Sequence, residues 1–194
     1  MKRRHLLLAT LPLSATAAPL AEIQQRLHQP ALARGRFEQD KRLAGFAKPL
    51  KSTGDYLLVR GKGVLWRTLT PFASQLALTR DAIRADHFQL DAGKEPSVRV
   101  VTGLMLALLD GNLAALQSQF ELSGSLRGAQ GWQAELKPRE AALARLFQRI
   151  ELEGDRQVRR IQLFEAQGDQ TLIRFDEQQR EPAAPNEEEA RRLA

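Results

Sequence analysis

The chain of 194 residues contains no cysteine, so disulfide stapling, thiolate catalysis and cysteine metal sites are all excluded. It has one tyrosine, two tryptophans and three histidines. Past the N-terminal segment only His28 and His87 remain, in different segments. No H-E-x-x-H and no histidine–carboxylate spacing suited to zinc occurs. No serine stands in a G-x-S-x-G nucleophile elbow. Gly61-Lys62-Gly63 lacks the following Lys-Ser/Thr of a phosphate loop and reads as a hairpin turn. Acidic residues are interspersed with the basic ones, unlike the one-sided stripe of a nucleic-acid binder, so no nucleic-acid partner is expected. No cofactor or metal is called for, and the chain reads as a non-enzyme. Nor does any apolar run reach the ~20 residues of a membrane-spanning helix.

What is present begins with "MKRRH", a basic stretch, followed by "LLLATLPLSA", an apolar run of about ten residues, and by Ala15-Thr16-Ala17, a small–x–small cleavage site. Residues 1–17 are therefore expected to be a signal peptide, with the mature chain starting near Ala18 in the periplasm. Losing Lys2, Arg3 and Arg4 lowers the formal charge of +6 by three and leaves a mildly basic domain. An exported chain without disulfides must be held by its core, and residues 18–180 suit a single domain.

Leu20, Ile23 and Leu27 form one stripe of a short helix, closed by Pro30. From Arg36 the pattern changes to period two. "RFEQDKRLAGF", "GDYLLV", "GVLWRTL", "SQLALT", "AIRAD" and "HFQL" are short strands punctuated by glycine and proline, as in an antiparallel meander. Ser97 is placed to cap a helix from Val98 to Gly111, apolar nearly all round, and Asn112 to cap a second one carrying Leu113 and Leu116. Strands resume with "FELSGSL", "WQAEL", "LFQRIELE", "VRRIQLFE" and "TLIRF". Residues 181–194, rich in proline, alanine and glutamate, read as a flexible tail. A long antiparallel sheet hides one face by curling around the apolar helices. The expected class is α+β, an unclosed antiparallel barrel with an N-terminal helix and a helical lid.

In the hairpin "YLLVRGKGVLW", Tyr56, Leu58, Val64 and Trp66 share a face with Arg60, while Leu57, Val59 and Leu65 make the opposite face apolar as well. A helix apolar all round needs cover on every side, and a cavity in the sheet that such a helix closes accounts for both features.

The stretch "RFEQDKRLAGFAKPLKSTGDYLLVRGKGVLWRTLTPFASQL" resembles the opening of the LolA-type periplasmic carriers of outer-membrane lipoproteins. The shared pattern is F-x-Q on a strand, then G-x-Φ-x-Φ-x-R-x(5)-W, where Φ is apolar. Its positions here are Phe37 and Gln39, then Gly54, Tyr56, Leu58, Arg60 and Trp66. Two positions depart from it: Gly61 stands where proline often follows the arginine, and Val64 where an aromatic often precedes the tryptophan.

The resemblance implies a hydrophobic cavity for acyl chains, lined by Phe37, Tyr56, Leu58, Val64, Trp66, Leu76, Leu78, Leu104, Met105 and Leu108. It also implies that Arg60 holds the lid shut when the cavity is empty. The partner expected for it is the Asp110 carboxylate or the last carbonyls of that helix; the other reading is an arginine snorkelling at the hairpin end. Cargo would be an acylated lipoprotein or another lipid, passed from an inner-membrane donor complex to an outer-membrane acceptor by a monomer. A lipid-sensing regulatory domain is the alternative on the same fold, and a lipid-modifying enzyme a third.

Overall fold

The structure, a computed structural model, describes residues 17–179 and 183–194. The expected signal peptide thus lies outside the described residues, except for Ala17. Helix α1 (Ala17–Arg26) is followed by β1 (Leu32–Arg42), β2 (Leu50–Val59), β3 (Gly63–Thr70), β4 (Ser74–Thr79), β5 (Ala82–Ala85) and β6 (Gln89–Asp91). Helices α2 (Pro96–Asp110) and α3 (Leu113–Leu116) interrupt the strands. Then come β7 (Phe120–Arg127), β8 (Gly131–Pro138), α4 (Ala141–Ala144), β9 (Phe147–Gly154), β10 (Val158–Glu165), β11 (Gln170–Asp176) and α5 (Glu187–Arg192).

The strands form one eleven-stranded antiparallel sheet in the order β6-β5-β4-β3-β2-β1-β11-β10-β9-β8-β7. Its outermost strands β6 and β7 do not pair with each other, so the fold is the expected α+β open barrel. The meander is a consequence of short turns. Among the described strands, the one pairing between strands not consecutive in sequence is β1 with β11, which joins the two halves and sets Phe37 opposite Phe175.

Period-two alternation sends one residue set inward. Ala33, Phe37, Tyr56, Leu58, Val64, Leu78, Trp132, Ala134, Leu136, Ile150, Leu152, Ile161, Leu163, Ile173 and Phe175 make one buried cluster with Leu104 and Leu108 of α2. Helix α1 adds Ile23 to it, Leu27 follows just past its end, and the helix lies against β7. That approach requires Gly124, where a Cβ would stand 2.7 Å from the Ile23 side chain.

Helix α2 begins slightly earlier than the sequence predicts. Pro96 sits in its first turn and Glu95, not Ser97, is the N-cap, with no side-chain capping bond. Proline is tolerated there because the first-turn N–H has no partner inside the helix. The other end is as expected. Gly111 takes φ 65° and its N–H bonds back into the last turn, a conformation that costs glycine little. Asn112 then caps α3 by accepting from the Ala115 N–H at 3.1 Å.

The stretch expected to be a flexible tail is different. Residues 183–194 include α5, capped by a reciprocal box in which Asn186 accepts from the Glu189 N–H and Glu189 accepts from the Asn186 N–H. The helix is tied to β1: Arg34 donates to both Glu189 oxygens at 2.9 and 2.7 Å, and also to the carbonyls of Ala183 and Ala184. Leu193 is buried against Leu57, Leu65 and Ala77 on the convex face of the sheet. Composition argued for disorder; a capping box, a bidentate ion pair and an apolar anchor outweigh it. The second apolar face of the β2–β3 hairpin is covered by this helix.

Candidate functional site

The site is built on the β2–β3 hairpin. Gly54 comes first, because a Cβ there would lie 1.8 Å from the Arg67 carbonyl oxygen and 2.7 Å from the Phe37 ring. Its absence lets β3 shift register at this point, where Thr53 faces Thr70 but Gly54 faces Thr68. The Phe37 ring then stacks on Trp66, with centroids 3.8 Å apart. Tyr56 meets Phe175 edge-on at 5.4 Å, and its hydroxyl accepts from Gln178 at 3.0 Å. Burial raises the Tyr56 pKa, the Gln178 hydrogen bond opposing it. Cross-strand pairs continue the wall, with Trp66 opposite Leu76 and Val64 opposite Leu78.

Helix α2 approaches the concave side along β4, β5 and β10. Leu104 and Leu108 are fully buried in it, and Val100, Met105, Leu106, Ala107 and Leu109 pack at its margin. Thr102, the one polar side chain within its apolar run, is buried but satisfied by the Val98 carbonyl at 2.9 Å. Phe37, Tyr56, Leu58, Val64, Trp66, Leu76, Leu78, Leu104, Met105 and Leu108 therefore fall in one cluster. They pack on one another around α2, and Leu58 also borders a pocket beside the hairpin tip.

Arg60 lies apart from that cluster, at the tip of the hairpin. Its side chain is 40% exposed, and Nε stands 3.3 Å from Asp110 Oδ1 at the end of α2. The guanidinium bonds to the carboxylate, while the Gly111 carbonyl is taken by Gln29 at 3.1 Å. Burial raises the Asp110 pKa, with Arg60 pulling it the other way. The departure at Gly61 has a geometric reason, since its φ is 77° and proline is held near −65°.

Between the hairpin tip and α2 lies a pocket of about 300 Å³. Leu58, Leu106 and Ala107 make its apolar floor, with Arg60, Lys62, Arg80 and Asp110 around them. Lys62, Arg80 and the open position at Gly103 were not flagged by sequence reasoning. Nothing in a local pattern brings the β4–β5 turn beside the β2–β3 turn, although strand alternation puts both turns at one end of the sheet. The exposed Phe46, Phe72 and Phe88 sit on connections at the other end. Among the described residues there is no cluster of three or more potential metal-ligating side chains, and no helix is long and apolar enough to cross a membrane.

An unclosed antiparallel barrel whose concave face is occupied by an apolar helix defines the class of this protein. The family model described as "Outer membrane lipoprotein carrier protein LolA" matches residues 31–188, and the chain belongs to that family. Among curated proteins no relative matches. Solved structures similar to it include the LolA superfamily protein NE2245 from Nitrosomonas europaea, at 9% identity over 88% of this chain and 96% of that one, with a TM-score of 0.46. The MucA/MucB complex of Pseudomonas aeruginosa matches at 17% identity over 87% of this chain and 56% of that one, with a TM-score of 0.41. A putative outer membrane lipoprotein-sorting protein domain from Vibrio parahaemolyticus matches at 7% identity, 82% and 89% coverage, and a TM-score of 0.34.

Proposed function

We propose that the protein is a periplasmic carrier that shields the acyl chains of a lipoprotein or another lipid between donor and acceptor membranes. Residues 1–17 serve as its export signal in this reading, and it works as a monomer without chemistry on its cargo. The observation that carries the reading is α2, an apolar helix filling the concave face of an open barrel in a chain of the LolA family. Its end is pinned to the hairpin by one partly exposed ion pair.

An acyl chain competes with α2 for the same surface. Burying each methylene contributes about 0.8 kcal/mol, whereas an exposed ion pair contributes about 0.2–1 kcal/mol. A chain of several methylenes therefore offsets the apolar contacts that α2 gives up at Leu104 and Leu108 and exceeds the small contribution of the Arg60–Asp110 contact, so α2 moves aside. On release α2 refills the surface, which spares the empty protein an exposed apolar face.

Titrating fatty acids of increasing length against Trp66 fluorescence tests this. Affinity rises with chain length until the surface is full, and a flat response refutes the reading. Transfer of labelled lipid from donor to acceptor vesicles then separates carrier from sensor, because a sensor keeps its ligand.

A further inference from the structure

The pocket beside the end of α2 has an unequal charge balance. Arg60 and Lys62 reach it from the β2–β3 turn and Arg80 from the β4–β5 turn, while Asp110 is the one carboxylate in its lining. Asp110 is already engaged by Arg60 at 3.3 Å. Asp81, next to Arg80, lies 3.5 Å from Arg99. Gln29 and Asn112 complete the polar rim and carry no charge.

The floor is apolar, and Gly103 of α2, itself exposed, leaves the pocket open on that side. A Cβ at Gly103 would meet nothing within 4 Å. Glycine inside a helix is less favourable than alanine, and here no packing or backbone demand explains it. The pocket volume of about 300 Å³ is at the lower end of small-ligand sites.

Resting on the carrier reading above, we propose that this pocket takes the anionic head group of the cargo, a carboxylate or phosphate joined to an acyl chain. The head group is held by Arg60, Lys62 and Arg80, and the first methylenes lie over Leu58, Leu106, Ala107 and the open space at Gly103. The anion competes with Asp110 for the Arg60 guanidinium. Recognition of the head group is thereby coupled to release of the end of α2, ahead of insertion of the chain.

The test compares twelve-carbon probes that differ only in head group, titrated below their micelle concentrations into the purified mature protein (residues 18–194). Dodecanoate and dodecyl phosphate bind at least about tenfold tighter than methyl dodecanoate or dodecyltrimethylammonium, as charge-assisted hydrogen bonds require. In Lys62→Glu/Arg80→Glu that preference disappears while methyl dodecanoate affinity is retained, which also reports an intact fold. Gly103→Phe fills the gap and weakens dodecanoate about tenfold or more.

Equal binding of dodecanoate and its methyl ester by the wild type overturns the head-group site and leaves the carrier reading standing. Preference surviving in the double variant overturns it as well. Butyrate or inorganic phosphate binding as tightly as dodecanoate reduces the pocket to an anion site and overturns the coupling to the acyl chain. Failure of every twelve-carbon probe to bind overturns both readings together.

Discussion

Replacing Arg60 with leucine should loosen α2 only slightly. The pair joins one N–H to one carboxylate oxygen at 3.3 Å, with Arg60 40% exposed. A contact of that exposure contributes about 0.2–1 kcal/mol, which shifts an open–closed equilibrium by at most about fivefold. Asp110 tells the same story from the other side. Burial raises its pKa in spite of Arg60, so desolvation of the carboxylate outweighs the attraction.

Two consequences distinguish this from a strong buried latch. Asp110→Asn removes the charge whose burial is unfavourable and leaves α2 as closed as in the wild type. Acidification favours the closed state, because a carboxyl with a raised pKa in the folded protein binds its proton more tightly there. That contribution is present below the unfolded pKa and is lost as pH rises through the raised folded value. Binding of a hydrophobic dye, together with amide exchange across residues 98–110, reads the open population. A rise of about thirtyfold or more in Arg60→Leu, or opening in Asp110→Asn equal to that of Arg60→Leu, refutes the weak-pair account.

Glu189→Gln should release α5, lowering amide protection across residues 187–193 by about ten- to a hundredfold, since its bonds to Arg34 are charge-assisted and each contributes about 1.5–3 kcal/mol. Acid acts likewise: Arg34, through its hydrogen bond, holds the Glu189 pKa at about 2, so the clamp is fully present above the unfolded value and is lost as pH falls through about 2. Gly54→Ala should destabilise by about 1–3 kcal/mol, measured by urea unfolding, because its Cβ meets the Arg67 backbone and not a movable side chain. Gly103→Ala should raise the melting temperature by about 2–4 °C through helix propensity alone.

The strands, the two capped helices around Gly111 and Asn112, and the inward face of Tyr56, Leu58, Val64 and Trp66 were legible in the sequence, because periodicity and capping are local properties. Strand alternation put Arg60 on the face of Tyr56 and Trp66, but its side chain stands at the exposed hairpin tip beside Asp110, a contact that depends on where the end of α2 lies. Three things were decided only by tertiary structure. The convex apolar face at Leu57 and Leu65 is covered by Leu193, from a stretch whose composition argued for disorder. Arg34 finds Glu189 across 155 positions, a pairing that no window of local sequence contains. Lys62 and Arg80 meet in one pocket because β2–β3 and β4–β5 turn at the same end of a sheet over which α2 lies. Burial and charge pairing between remote segments select among the covers that an apolar face could have, and that selection belongs to the folded chain as a whole.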